Sequence, residues 1–335
     1  MGHPGQELQV TMADTAETSA ALTTGAAQGE DNFNGLWRDS YWWSQDGLRL
    51  HYRDYPGPDG TSDKLPMVCM PGLTRNARDF EGLAEHVAKT RRVLAIDFRG
   101  RGESAYAKNP MTYVPLTYAQ DMVGLFNEIG LNRYVACGTS LGGIVTMLLA
   151  MMNGDRLAGA ILNDVGPVIE EAGIERIKSY VGQGGNQPTW VHAARAAEDL
   201  HGDFFPKWEL EDWIRMVKRS HKISKEGRIV ADYDSKITEP FKVPEGESGG
   251  VDLWPGLEAL GDRPTVIIRG ALSDILSAAT AEEMVKRLPN ATLATIPSIG
   301  HAPSLDEPES VTAIEALLTK ADKVEAKRKA GLPLV

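Results

Sequence analysis

Along most of the chain, short apolar runs alternate with longer amphipathic stretches. The apolar runs are LRLHYRDY (48–55), LPMVCM (65–70), RRVLAIDF (91–98), RYVACG (133–138), GAILND (159–164), PTVIIRG (264–270) and ATLATIP (291–297). Several are almost continuously apolar, as strands covered on both faces are. Between them lie the amphipathic segments 77–90, 116–130, 140–154, 278–289 and 308–323. Strand and helix in alternation predict an α/β fold: a mostly parallel, doubly wound sheet with right-handed crossovers.

One interval breaks the rhythm. Between about 168 and 256 there is no clear core strand, only the helical segments AGIERIKSYVG, TWVHAARAAEDLHG and ELEDWIRMVKRS and then a polar stretch ending near GGVDLWPG. Nearly ninety residues is too long for a simple connection, so an inserted helical lid is expected here. Most of its aromatics are expected to pack the lid onto the core, with Trp190 and Trp213 as candidate substrate contacts. The resulting division is an N-terminal arm (1–34), the first part of the core (35–167), the lid (168–256), the second part of the core (257–325) and a C-terminal tail (326–335).

Composition narrows the function. The chain has 335 residues, 42% apolar and 24% charged, with a formal charge of −11. That is ordinary for a globular protein and argues against a general nucleic-acid binder, which carries a basic face. No run of about 18 apolar residues marks a transmembrane span, so no membrane partner is expected. The small, polar, acidic arm lacks the basic start and apolar stretch of a signal peptide, which makes the cytoplasm the expected location. Two cysteines, Cys69 and Cys137, lie in strand-like runs and are expected as buried thiols. There is no CxxC or HExxH pattern, and His192 and His201 are too far apart for a ligand pair, so neither metal nor cofactor is expected.

The candidate chemistry lies in G-x-S-x-G, which occurs twice: GTSLG around Ser140 and GESGG around Ser248. A nucleophile elbow needs a strand, a tight turn and a helix. Ser140 follows the strand-like YVAC and precedes the helix-like LGGIVTMLLAMM, whereas Ser248 sits in the polar tail of the lid. Ser140 is therefore the candidate nucleophile. A serine hydroxyl needs a base to remove its proton. Of seven histidines, His301 follows the last strand directly, on a loop at the sheet's C-terminal edge where sites of open α/β sheets gather. Three acids end strands: Asp97, Asp164 and Asp274. Chain order excludes Asp97 by precedent, and Asp274, after the penultimate strand, is preferred over Asp164. An oxyanion needs backbone N–H donors. These are expected from Leu141, directly after the nucleophile, and from Leu73, after Gly72 in VCMPGLTRNARDF.

Four patches together resemble the α/β-hydrolase superfamily: MPGLTRNARDF (70–80), DFRGRGES (97–104), CGTSLGG (137–143), and IIRGALSD (267–274) with SIGHAPSLDEP (298–308). The resemblance spans about 37–320. It implies Ser140, Asp274 and His301 as a triad and an eight-stranded core, which adds a weak edge strand near 36–44 (LWRDSYWW). Many members carry His-Gly before the oxyanion donor, where this chain has Pro71-Gly72. The mechanism implied is acyl transfer through Ser140 with water as the second substrate. The aromatic-rich lid points to a small-to-medium, mostly apolar ester or lactone. A C–C bond hydrolase of a diketone-type substrate and an acyltransferase would use the same residues, and a ligand receptor on the same fold is the alternative outside enzymes. Asp97, Arg99 and Arg101 are read as mainly structural.

Overall fold

A computed structural model describes residues 35–58, 63–183, 185–242 and 252–333, together with Met1. The expected arm (1–34), apart from Met1, and the GESGG turn with Ser248 lie outside the described residues. The central sheet has eight strands in the order β1-β2-β4-β3-β5-β6-β9-β10. These are β1 (Arg38–Trp43), β2 (Arg49–Tyr55), β3 (Met67–Met70), β4 (Val93–Asp97), β5 (Tyr134–Thr139), β6 (Leu157–Asn163), β9 (Thr265–Gly270) and β10 (Ala291–Ile296). β1 and β2 pair antiparallel, β2 runs antiparallel to β4, and every other neighbour is parallel. The weak edge strand expected near 36–44 is β1.

The two-residue period of the strands divides the core into two layers. On one face Val68, Met70, Leu94 and Ile96 pack against α2 (Pro115–Glu128), α3 (Leu141–Asn153) and α8 (Ala278–Arg287). On the other, Met67, Cys69, Val93 and Ala95 pack against α1 (Glu81–Val87) and α9 (Pro308–Lys329). Cys69 and Cys137 are in register on β3 and β5, both buried and unpaired. Burial pushes the Cys69 thiol up, so it stays protonated. α9 runs past the expected end of its amphipathic stretch and into the expected tail. Its buried Glu325 is held by Arg133 at 3.0 Å and Arg328 at 2.6 Å, which ties the last turns to the core. Among the described residues, no helix is long and apolar enough to cross a membrane.

Between β6 and β9 the chain leaves the sheet. This inserted segment carries α4 (Glu171–Tyr180), α5 (Trp190–His201), α6 (Leu210–Ser220), a small hairpin of β7 (His221–Ile223) and β8 (Ile229–Ala231), and the short α7 (Trp254–Glu258). Strands of three residues are too short to print an alternating pattern, which is why the hairpin was not expected. α6 opens with a capping box in which Glu209 and Asp212 satisfy each other's backbone N–H groups. Its Trp213 is 1% exposed and stacks edge-on against Phe205 and Trp208 at ring distances of 5.8 and 4.8 Å, forming the segment's own small core.

A buried polar cluster braces β2. His51, 1% exposed, places Nδ1 2.7 Å from Asp97 Oδ2 and Nε2 3.0 Å from Asp39 Oδ1. Asp97 Oδ1 accepts the Ala77 N–H at 2.6 Å, and Oδ2 accepts the Glu103 N–H at 2.9 Å. Burial alone would drive the imidazole neutral, but the two carboxylates outweigh it and raise the His51 pKa from 6.5 to about 9. A raised folded-state pKa gives stability that is complete below the unfolded value and is lost as pH climbs through the folded one. The protein should therefore lose on the order of 3 kcal/mol between about pH 6.5 and 9 from this group. Urea midpoints measured across that window should fall, and the fall should flatten in His51→Gln.

Candidate active site

β5 ends at Thr139, and α3 begins at Leu141. The chain reverses within one residue, so Ser140 adopts φ 51° and ψ −114°, a conformation that side-chain-bearing residues rarely hold and that costs of order 1–3 kcal/mol. The turn is possible because its neighbours lack side chains. A β-carbon on Gly138 would lie 2.3 Å from the Gly142 carbonyl oxygen, and one on Gly142 would lie 2.0 Å from the Met70 carbonyl oxygen. The helix start is thus pressed onto β3 and β5. The Ser140 N–H donates to the Asn163 carbonyl at 2.9 Å, which fastens the turn to the end of β6.

Three side chains converge at the C-terminal edge of the sheet. His301, on the loop after β10, places Nε2 2.9 Å from Ser140 Oγ, and its Nδ1 lies 2.8 Å from Asp164 Oδ2. The Asp164 side chain is fully buried, and that of His301 is 9% exposed. Asp164 directly follows β6 and takes a left-handed backbone, φ 55°. Its carboxylate also accepts the Gly270 N–H at 2.9 Å and the Ser273 hydroxyl at 2.7 Å, so three donors compensate its burial. Asn163 braces the arrangement, its amide donating to Thr139 Oγ1 at 3.0 Å and to the Pro303 carbonyl at 2.9 Å.

The sequence preference for Asp274 as the histidine's acid partner is corrected by this geometry. Asp274 lies four residues beyond the end of β9 and faces the inserted segment, where Arg176 of α4 holds it through Nε and through Nη2, the latter at 2.8 Å. Burial would raise the Asp274 carboxyl, but the Arg176 guanidinium prevails and holds it below the usual carboxylate range. Arg176 in turn lies over the Phe204 ring at 4.4 Å, and the Phe204 carbonyl accepts the Gly300 N–H at 2.6 Å. Asp274 thereby joins the inserted segment to the loop that carries His301. The NDVGP stretch, with a polar pair closing an apolar run, was the signal for Asp164.

A cavity of about 330 Å³ opens on Ser140 and His301. Gly72, Leu73 and Arg75 line one side, while Tyr180, His201, Phe205, Trp208 and Met216 come from the inserted segment. Trp190 and Trp213, the expected substrate contacts, do not line it: Trp213 is consumed by the segment's core, and Trp190 is half-buried against the same cluster. Trp208 lines the cavity instead. The lining is more ionic than the aromatic content of the sequence implies, since Asp79, Asp212, Asp306, Glu307, Arg215 and Arg219 also reach it. Burial, reinforced by the charges of Arg176 and Arg75, lowers His201 to about 4, so it is neutral near pH 7. Leu73 lines the cavity, and its carbonyl is held by the buried Arg101 Nε at 2.9 Å. Leu141 is the first residue of α3, where a helix leaves its N–H groups without internal acceptors. Among the described residues, no three of His, Cys, Asp and Glu are grouped to hold a metal.

Strand order, elbow and loop placement define a doubly wound hydrolase-type fold, and comparison with known proteins identifies it. The profile of the alpha/beta hydrolase family matches residues 67–314, and the chain belongs to that family. It is 30% identical over 280 residues to the 3-hydroxybutyrate-oligomer hydrolase of Cupriavidus necator, covering 82% of this chain and 94% of that one. It is 25% identical to the mouse sn-1-specific diacylglycerol lipase ABHD11, over 75% of this chain and 80% of that one. The crystal structure of an alpha/beta hydrolase from Novosphingobium aromaticivorans superposes with a TM-score of 0.80 at 53% identity, covering 84% of this chain and 98% of that one.

The closeness of α3 to β3 makes a direct test of the turn. Gly142→Ala would force its new methyl group against the Met70 backbone, which has no flexible end to yield. A loss of about 3 kcal/mol is expected, read as a lowered urea midpoint, whereas Gly124→Ala, on an open helix face, should not destabilise.

Proposed function

We propose that the protein is a carboxylic-ester hydrolase that works through an acyl-serine, and that its substrates are short oligoesters of hydroxy acids. The observation that carries this reading is the continuous relay from Ser140 through His301 to Asp164, opening on a cavity capped by the inserted segment. His301 Nε2 takes the Ser140 proton as Oγ attacks the ester carbonyl, then delivers it to the leaving alcohol. Asp164 holds Nδ1–H, fixes the tautomer and stabilises the imidazolium. The N–H groups of Leu141 and Leu73 are the donors proposed for the oxyanion. Water, activated by the same histidine, then releases the acid. The substrate class is supported by the relative that hydrolyses 3-hydroxybutyrate oligomers, by a cavity near the small end of ligand sites, and by a lining with ionic as well as apolar groups.

The assignment of the acid is open to a direct measurement. On p-nitrophenyl butyrate, Ser140→Ala should abolish burst and turnover. Asp164→Asn should lower kcat by about 10⁴-fold, as loss of the tautomer-fixing carboxylate does. Asp274→Asn should cost far less, under about tenfold, because it loosens the inserted segment rather than the histidine. The reverse order for the two aspartates would overturn the relay, and an active Ser140→Ala would overturn the mechanism.

A further inference from the structure

Arg75 is a cation on the cavity wall that no step above employs. It sits two residues after Leu73, in the turn closed by its own N–H on the Gly72 carbonyl at 3.1 Å. A β-carbon at Gly72 would meet Arg75 Cγ at 3.4 Å and Ser140 Cβ at 3.7 Å, so the stem of Arg75 and the serine flank the same glycine. Its guanidinium is held from one edge, since Nε and Nη2 both donate to Asp79 Oδ1. Nη1 has no acceptor among the described residues, and the side chain is 25% exposed to the cavity side of the fold. A guanidinium fixed along one edge keeps its other donors oriented, which suits a planar anion.

The other lining arginines, Arg215 and Arg219, belong to α6 of the inserted segment rather than to the turn beside the nucleophile. Asp212 faces Arg215, Asp306 faces Arg219, and Glu307 accepts the Ser304 N–H, the Ser304 hydroxyl and the Ser310 hydroxyl. Each lining carboxylate therefore has its own partner. Tyr180 and His201 stand on the opposite wall, with ring centroids 5.2 Å apart, and the charge of Arg75 reaches both. A neutral imidazole and a phenol add no second anion beside the Asp79 carboxylate, so the free edge of the guanidinium faces none.

We propose that Arg75 receives a free carboxylate on the substrate, so that the enzyme selects hydroxy-acid oligoesters ending in a carboxylate over neutral alkyl esters. This rests on the ester-hydrolase reading and goes beyond it in naming what is recognised and by which residue. In a dimer of 3-hydroxybutyrate the carboxylate lies four bonds beyond the scissile carbonyl carbon. That short reach matches a cation that shares Gly72 with the nucleophile. Arg75 is then a specificity residue, and Asp79 positions it.

The test compares 3-hydroxybutyrate dimer with its methyl ester, which lacks the charge and adds one methyl group, and follows cleavage of the internal ester bond in both. Wild type should favour the free acid by about tenfold or more in kcat/KM, chiefly through KM, with the preference shrinking as sodium chloride is added. Arg75→Met combined with Asp79→Asn, which leaves no orphaned carboxylate, should lose about 10- to 100-fold on the acid and at least tenfold less on the methyl ester. Arg75→Lys should recover part of the preference. Independently of any variant, 3-hydroxybutyrate should inhibit p-nitrophenyl acetate hydrolysis by wild type at lower concentration than its methyl ester does. Equal losses on acid and ester, or a wild type indifferent to the charge, would overturn the role of Arg75 while leaving the hydrolase reading intact. A wild type that turns over no ester at all would overturn both.

Discussion

The site depends on one close approach: the first turn of α3 lies against the backbones of β3 and β5 with no side chain between them. The Met70 carbonyl and the Gly142 α-carbon are near enough to exclude even a methyl group. This contact forces the reversal at Ser140 and lifts its hydroxyl off the sheet edge. It also sets the first N–H groups of the helix, which lack intrahelical acceptors, directly after that hydroxyl. The backbone strain at Ser140 is sustained because the buried strands on both sides and the Asn163 carbonyl leave the turn no relaxed alternative.

Two aspartates end up near one histidine, and their surroundings give them different work. Asp164 is sealed from water, yet the Gly270 N–H, the Ser273 hydroxyl and the His301 ring all direct hydrogens at it. A buried carboxylate so surrounded keeps its orientation. Asp274 meets a full guanidinium instead, and a carboxylate neutralised by Arg176 has little field left to hold an imidazolium. The same ion pair gives the inserted segment a fixed anchor on the core. The His301 loop and the inserted segment are thus fastened to the core and to each other at Asp274 and Gly300.

The doubly wound sheet was legible because its strands are continuous apolar runs and its helices are amphipathic, and both periods survive in a single sequence. Ser140 and His301 were legible for a related reason: each sits at a strand end, marked by glycine. The acid partner was not. Asp164 and Asp274 both follow strands, and the choice between them turns on Arg176, which is 98 residues from Asp274 in sequence and meets it only when α4 folds back over the sheet. The wall of the cavity was hidden for the same reason. Trp208 and Trp213 are equally aromatic in sequence, and only the packing of α6 decides that one faces the substrate space and the other its own small core. The β7–β8 hairpin is too short to leave any pattern.

The ionic lining of the cavity bears on which esters fit it. A wall built only of aromatics would bind any acyl chain of the right size, with selectivity limited to what a methylene contributes. Here arginines and carboxylates alternate along the wall in pairs, and their charges are already balanced when no substrate is bound. A long alkyl chain threaded past them would desolvate those pairs without replacing their water, at a net loss. A short substrate with polar groups at intervals, as an oligoester has at every repeat, can meet the paired charges with hydrogen bonds while its small methyl groups lie against Phe205 and Trp208. The same balance weighs against a bulky lipid and in favour of the more polar substrate proposed for this chain, since a fold does not itself fix what its cavity takes.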